Sequence, residues 1–393
     1  MSLPEPVAAA LLAQPRPVCA YVYSLSAMRD RAAAVRAALP PGATLFYAVK
    51  ANGHPAVAAT LASTVDGLEI ASGGELSLAL SAGAGRLAFG GPAKTDAELR
   101  AYLAAPGDRI LHVESAHELR RLAWLAGSDP LPRVAVRVNR AAGGPAGSHR
   151  MTGATQFGIG EEDLPSIVGL ARSLGVPITG FHLHAVSNSR DAAEYARFTC
   201  SSVAWSVAAA AELGVELSYV NVGGGFGVSY AAATPGFDLA SLDWSDLALP
   251  AGVELAFEPG RFLTAEAGWY AAEVIDLKQT RGTWYALLRG GMHQFRLPVA
   301  YAINGGFEVL PVEEWAYPWP RPSVSGVSVT LAGELCTPND VLARDVDTER
   351  LRVGDVVVFT KAGAYGWDIS PMDYLHHPKP AVLTVEQPGV MAF

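Results

Sequence analysis

Lys50 ends the run Phe-Tyr-Ala-Val-Lys-Ala-Asn, in which a β-rich stretch delivers an amine to the mouth of a pocket. Desolvation lowers the pKa of a buried amine, and a neutral amine condenses with an aldehyde. The same placement also suits a strand-end lysine that snorkels to water. The run Asn-Val-Gly-Gly-Gly-Phe-Gly over residues 221–227 follows another β-rich stretch. Glycines let main-chain amides approach an anion closely, although a tight strand-to-helix turn uses the same residues. Neither the Walker spacing nor a GxGxxG dinucleotide fingerprint is present. Glu258-Pro259-Gly260-Arg261 sets a carboxylate and a guanidinium on either side of a turn that aims them differently. The carboxylate suits a protonated ring nitrogen and the planar guanidinium suits a phosphate; a local surface ion pair is the plainer alternative.

His182 and His184 alternate on Phe-His-Leu-His-Ala-Val-Ser-Asn and so share one face of a strand. No carboxylate or cysteine stands beside them in the sequence to complete a ligand set, so no metal is expected. His184 reads better as a ring stacked on an aromatic cofactor, and His182 as a core histidine. Cys336 lies in the turn-rich run Gly-Glu-Leu-Cys-Thr-Pro-Asn-Asp, where a thiol is placed to donate a proton. Tyr365 is flanked by glycines in Ala-Gly-Ala-Tyr-Gly-Trp, which frees its hydroxyl to reach a phosphate. An inert thiol and a packed tyrosine fit those two positions equally well.

The elements that must hold these groups are legible as an alternation. From Val18 to Phe262, eight short β-rich runs are separated by Ala/Leu-rich helical stretches: residues 44–49, 67–71, 86–90, 109–113, 133–138, 178–184, 219–222 and 254–258. Eight is the number that closes a parallel barrel, whose sites lie at the carboxyl ends of its strands. Lys50, His184, Gly223 to Gly225 and Glu258 to Arg261 all fall at such ends. Beyond Phe262, β-branched and aromatic runs at 273–278, 283–288, 325–331 and 355–359 predict an antiparallel β domain. The expected division is a barrel over 18–265 and a β domain over 266–393 that also takes in the N-terminal segment 1–17. Tyr317–Pro322 reads as a rigid loop, and the Gly-rich stretch Arg140–Thr155 as a mobile one.

Composition narrows the partners. A net charge of −9 with no basic stretch excludes a nucleic-acid backbone. Cys19, Cys200 and Cys336 are far apart with no CxxC pair, which suggests neither disulfides nor a thiolate zinc site. The apolar segment Val7–Ala13 lacks a preceding positive region, and no run is long enough to span a bilayer. A cytoplasmic protein without a membrane partner is expected, acting on a small molecule.

In chain order these runs resemble the fold-type III pyridoxal-phosphate decarboxylases, the family of diaminopimelate, ornithine and arginine decarboxylases. The resemblance extends over residues 18–385 and rests on Tyr-Ala-Val-Lys-Ala-Asn, Ala-Ser-Gly-Gly-Glu-Leu, His-Ala-Val-Ser, Gly-Gly-Gly-Phe-Gly, Glu-Pro-Gly-Arg, Leu-Cys-Thr-Pro-Asn-Asp and Gly-Ala-Tyr-Gly. It implies an alanine-racemase-like (β/α)8 barrel with pyridoxal 5'-phosphate joined to Lys50, His184 stacked on its ring and Glu258 on its ring nitrogen. Ser187, Gly223, Gly224, Gly225, Arg261 and Tyr365 are then the phosphate-side contacts, with Pro259 and Gly260 alongside. It also implies a homodimer with shared active sites, in which Cys336 and Asp340 reach across from the neighbouring chain.

Two positions bear on the substrate. Diaminopimelate decarboxylases carry Glu after the site cysteine to bind a distal ammonium, and here Thr337 stands there. Arg296, in Gly-Gly-Met-His-Gln-Phe-Arg-Leu-Pro-Val-Ala-Tyr, matches the family arginine that grips a distal carboxylate, with Tyr301 as its neighbour. A surface salt bridge is the other reading of Arg296. The pair of changes is similar to the branch serving citrate-based siderophore pathways, whose substrates are citryl-diaminopropionate or citryl-serine. Diaminopimelate decarboxylation in lysine biosynthesis is the alternative, with ornithine- or arginine-type activity behind it. A racemase of the related barrel family would place Arg where Glu258 stands, and an inactive cofactor-binding regulator would lack the β domain or Cys336.

Overall fold

The computed structural model describes residues 3–141, 144, 147, 149–230 and 235–386. Five residues of the Gly-rich stretch expected to be mobile, 142, 143, 145, 146 and 148, lie outside that set. The chain divides into two compact units, one of Arg31–Val228 with Pro235–Phe262, the other of Met1–Asp30, Ser229–Thr234 and Leu263–Phe393.

The first unit is the barrel. Its strands are β1 (Thr44–Ala48), β2 (Gly67–Ile70), β3 (Arg86–Phe89), β4 (Asp108–Val113), β5 (Arg133–Asn139), β6 (Ile178–His182), β7 (Tyr219–Asn221) and β8 (Glu254–Phe257). Each pairs in parallel with the next, and β8 pairs with β1 to close the ring. The expected strands are all present, displaced by at most two residues at their ends. Helices between them start where the sequence offers caps: Ser72, Thr95, Ser115 and Asp191 each accept a backbone N–H three residues on, and Thr95 with Glu98 forms a reciprocal capping box.

Because side chains alternate along a strand, every second residue points into the barrel, and six strands build three stacked layers. The lowest holds Thr44, Arg86, Asp108, Arg133 and Glu254. Arg86 reaches Glu254 at 2.6 Å and Asp108 at 2.8 Å, and Arg133 reaches the same two carboxylates at 2.9 Å each. Burial works against ionising Glu254, but its hydrogen bonds from Arg133 and Arg86 outweigh it and hold the carboxyl below its usual range. Two residues further along come Phe46, Ala88, Ile110, Ala135, Tyr219 and Ala256, a buried apolar plug. Another two residues give Ala48, Gly90, His112, Arg137, Asn221 and Glu258. The remaining strands contribute glycine at the plug level, Gly67 beside the Phe46 ring and Gly180 against the Tyr219 carbonyl.

The second unit departs from expectation in two respects. Its sheet is mixed rather than antiparallel: Thr283–Leu288 pairs in parallel with Ser323–Ala332, and Cys19–Ser24 in parallel with Ala381–Val385. Residues 18–30 also belong here and not to the barrel, because Cys19–Ser24 is hydrogen-bonded to the long strand Gly268–Thr280. A strand buried on both sides reads the same in either kind of sheet, which is why periodicity placed it with the barrel. The helix Glu5–Leu12 buries Val7 and Leu11 in the same core as Val18, Ala20, Val22, Trp269 and Val358. Between Leu310 and Ser323 there is no regular element, and the Tyr317 and Trp319 rings stack at 4.8 Å with Trp315 Nε1 donating to the Trp319 carbonyl at 2.7 Å. No helix among the described residues is long and apolar enough to cross a membrane.

A methyl group at Gly180 would run into the Tyr219 carbonyl at the heart of the plug. Gly180→Ala is expected to lower the free energy of unfolding by about 1–3 kcal/mol, read from urea denaturation followed by tryptophan fluorescence.

Candidate active site

The uppermost layer of the barrel is polar where the layer beneath it is apolar. Lys50 follows β1 in a single 3-10 turn, Val49–Ala51, and its Nζ lies 2.7 Å from Glu69 Oε2. Lys50 is open to solvent while the Glu69 side chain is only 5% exposed. Burial pushes the Glu69 carboxyl above its usual range, with the Lys50 ammonium opposing it. A basic carboxylate within hydrogen-bond reach is what a lysine needs to shed its proton and become a nucleophile.

Glu258 stands beyond the end of β8, buried among side chains from three other strands. Asn221 Nδ2 donates to its Oε1 at 2.6 Å, His182 Nε2 lies 3.3 Å from Oε2, and His112 Nδ1 is 4.0 Å from Oε1. Here space completes what the sequence lacks: His182 does acquire a carboxylate and a second histidine, and the three donor atoms lie within 4.8 Å of one another. The His112 and His182 rings stack at 4.1 Å.

The glycine run turns over this cluster. Gly223 and Gly225 have φ of +73° and +109°, which a side chain rarely tolerates, and a methyl on Gly223 would strike the His184 ring. Asn221 Oδ1 accepts the Gly223 N–H at 2.7 Å, and Tyr195 donates its hydroxyl to the Gly224 carbonyl at 2.9 Å. His184 Nδ1 accepts the Gly224 N–H at 3.2 Å, so its hydrogen sits on Nε2 and the ring is held in one orientation. The Gly225 N–H has no acceptor among the described residues. Ser187 lies in the two-residue strand Val186–Ser187, and Arg261 opens the turn Arg261–Thr264, directly after Pro259 and Gly260. An amine, an anion, a fixed neutral imidazole, backbone amides and a guanidinium at one barrel mouth suit a planar aromatic aldehyde bearing a phosphate.

Several functional candidates escape a reading by motif. Among them are Glu69, beside Lys50, His112, beside Glu258, and a separate buried pair in which Arg137 Nη1 donates to Glu114 Oε1 at 3.0 Å while Glu114 also accepts the amides of Gly91 and Gly158. Lys94 fastens the end of β4 by donating to the His112 carbonyl at 2.8 Å and to Glu118 at 2.7 Å. Their signal in the sequence is a charged or imidazole residue inside a short apolar strand, as in Gly-Leu-Glu-Ile and Ile-Leu-His-Val.

The second unit holds the other candidates. Cys336 is exposed and Thr337 half-buried. Asp340 is buried, and its carboxylate accepts the amides of Met292 at 2.6 Å and Leu335 at 2.8 Å, stapling the Cys336 loop to the segment that carries Arg296. That burial raises the Asp340 carboxyl above its usual range. Arg296 is exposed at the start of the short helix Leu297–Tyr301, its amide bonded to Ser370 Oγ at 3.0 Å. Tyr301 lies 6.3 Å, ring to ring, from Tyr230, and Tyr365 sits at φ +52° in its glycine-flanked turn.

The fold and the site together define a pyridoxal-phosphate enzyme, and the comparisons bear this out. Residues 25–265 match the family described as pyridoxal-dependent decarboxylase, pyridoxal binding domain. The chain belongs to that family; it is a carboxy-lyase whose cofactor is pyridoxal 5'-phosphate. It is 38% identical to the 2-[(L-alanin-3-ylcarbamoyl)methyl]-2-hydroxybutanedioate decarboxylase of Staphylococcus aureus, over 98% of this chain and 99% of that one. Identity to the diaminopimelate decarboxylase of Deinococcus radiodurans is 33%, over 86% and 83% of the two chains. Among solved structures, a single-residue mutant of the diaminopimelate decarboxylase of Helicobacter pylori complexed with L-lysine is 25% identical, with a TM-score of 0.84 and coverage of 95% and 93%.

Burial drives His112, His182 and His184 well below the ordinary imidazole pKa of 6.5. In an unfolded chain these rings take up protons below about pH 6.5, whereas the folded rings resist them, so the unfolded state binds more protons in that window. Stability is therefore retained above it and falls as the pH drops through it. Glu69, shifted upward, contributes with the opposite sign. Denaturation curves between about pH 7 and 5 are expected to show a shallower loss of stability for His182→Gln than for the native chain; an unchanged slope would mean the ring takes up its proton equally in the folded and unfolded chain.

Proposed function

We propose that this enzyme removes the α-carboxylate of an L-amino acid carrying a citrate-derived arm, the amide of citrate with 2,3-diaminopropionate being the leading substrate. The observation that carries the reading is the end-to-end match to the staphylococcal enzyme, whose substrate name describes that amide. The exposed Arg296 supports it, since a guanidinium fork suits a carboxylate-rich arm, as does Thr337, which offers a distal ammonium no negative charge. Decarboxylation of diaminopimelate is the second reading, favoured by the 33% identity to the Deinococcus enzyme.

When bound, the cofactor supplies an electron-withdrawing aromatic ring conjugated to the substrate's amino nitrogen. In the proposed mechanism Lys50 Nζ would hold the cofactor through its aldehyde, and Glu69, 2.7 Å from that Nζ, would take and return the lysine proton. Glu258 would hold a proton on the ring nitrogen, and the His184 imidazole would stack on the ring and exclude water there. Ser187, the amides of Gly223 to Gly225, Gly260 with Pro259, Arg261 and Tyr365 anchor the phosphate side. Arg296 and Tyr301 bind the distal carboxylates, with Thr337 and Asp340 shaping the same region. Cys336, from the neighbouring chain of a homodimer, gives its Sγ proton to the α-carbon after CO2 departs. A cytoplasmic location accords with three cysteines that form no disulfide.

Four assays of released CO2, on citryl-diaminopropionate, citryl-serine, diaminopimelate and ornithine, separate the readings. The first is expected to give the highest kcat/KM; preference for diaminopimelate would overturn the proposal. Lys50→Ala should leave no adduct on that peptide after borohydride reduction and no turnover. Arg296→Ala should raise KM for the citryl substrate by about 10- to 100-fold with a smaller change in kcat.

A further inference from the structure

Tyr219 lies in the apolar plug, one layer below Glu258, and no role for it follows from the chemistry above. Its phenol is fully buried, which raises its pKa well above that of a free tyrosine and keeps the hydroxyl protonated. Asn221 fixes the direction of that hydroxyl. The Asn221 Oδ1 accepts from Gly223 N at 2.7 Å, and an amide N–H only donates, so the orientation of the Asn221 side chain is set. Its two Nδ2 hydrogens then go to Tyr219 Oη at 2.7 Å and Glu258 Oε1 at 2.6 Å. With Tyr219 Oη already accepting, its own hydrogen needs an acceptor, and the one in reach among the described residues is His112 Nε2 at 3.3 Å.

That contact decides the tautomer of His112. Nε2 accepts, so Nδ1 carries the hydrogen, and Nδ1 has no partner among the described residues except Glu258 Oε1 at 4.0 Å, which a shift of about half an ångström brings close to hydrogen-bond range. His182, stacked on His112, presents Nε2 to the other carboxylate oxygen at 3.3 Å. Both rings are uncharged, since burial disfavours the imidazolium. Among the described residues no lysine or arginine pairs with Glu258. The Asn221 amide donates to it, and two neutral imidazoles lie against it without cancelling its charge.

We propose that Tyr219 and His112 are positioning residues which, through a Tyr219 Oη–H to His112 Nε2 bond and a His112 Nδ1–H directed at Glu258, hold that carboxylate on the cofactor's ring nitrogen. This rests on the reading that Glu258 faces that nitrogen. The same three side chains meet the distance requirement for a metal ion, but stacked rings point their in-plane lone pairs side by side and not at a common centre. With Nε2 accepting from Tyr219 and Nδ1 protonated, His112 also has no lone pair left for an ion.

The test is nitrogen-15 NMR of the holoenzyme loaded with cofactor labelled at the ring nitrogen, followed through a pH titration on variants that retain stoichiometric cofactor. Tyr219→Phe and His112→Phe should each lower the pH at which the ring nitrogen loses its proton by about one unit or more, roughly a tenfold change in acidity. His112→Asn, which restores a donor near the Nδ1 position, should recover most of that shift. An unchanged titration in both phenylalanine variants would overturn the proposal, as would one equivalent of zinc bound by apoenzyme and lost on His112→Phe. Glu258→Gln separates the levels. If it leaves the resonance unmoved, the underlying placement of Glu258 is wrong; if it moves the resonance and Tyr219→Phe does not, only the relay fails.

Discussion

The active site depends on the two-residue pleat of parallel strands closed into a ring. Once β8 pairs with β1, inward positions stack at a fixed rise, and the order of residues along each strand becomes the order of layers in the barrel. The sequences Arg-Leu-Ala, Asp-Arg-Ile-Leu-His, Arg-Val-Ala-Val-Arg and Glu-Leu-Ala-Phe-Glu each run from charged, through apolar, toward the mouth. An ionic girdle of Arg86, Asp108, Arg133 and Glu254 closes the base, and rings of Phe46 and Tyr219 fill the middle. Reactive groups sit just past the ends of strands packed to either side, within one to four residues of a rigid element.

Three ionised groups at the mouth have a specific counterpart of opposite charge. Lys50 meets Glu69, Arg137 meets Glu114, and Lys94 meets Glu118, all at 2.7 to 3.0 Å. Pairs of this kind contribute little net stability when buried, because desolvation offsets their attraction, but losing one partner is costly. Their effect here is on geometry and protonation. Glu258 stands apart, set among the neutral side chains of Asn221, His112 and His182, and a carboxylate of that kind interacts strongly with a ring nitrogen that bears a proton.

In the β unit the decisive contacts are backbone ones. Asp340 uses its carboxylate to hold the Met292 and Leu335 amides, while Glu334 takes the guanidinium of Arg289 and faces His293 and His377 at 3.7 and 3.5 Å. The Cys336 loop and the segment leading to Arg296 are thereby tied into one piece. A buried aspartate whose oxygens are taken up by amides shapes its surroundings more directly than it could grip a ligand.

Much of this was legible in the sequence alone. Eight β-rich runs and the strand-end residues Lys50, His184, Gly223 to Gly225, Glu258 and Arg261 follow from periodicity and residue chemistry, because both are local properties. The strand Cys19–Ser24 was not assignable to the second unit, since a buried strand carries no mark of its partner and this one pairs with residues some 250 positions away. Glu69 and His112 were likewise silent: each is one polar residue in an apolar run, ordinary until the ring closes and sets it beside Lys50 or Glu258. The sequence determined which groups exist and which way each strand presents them. Only tertiary structure decided which of them meet, because distance across a barrel is set by strand pairing and has no counterpart in separation along the chain.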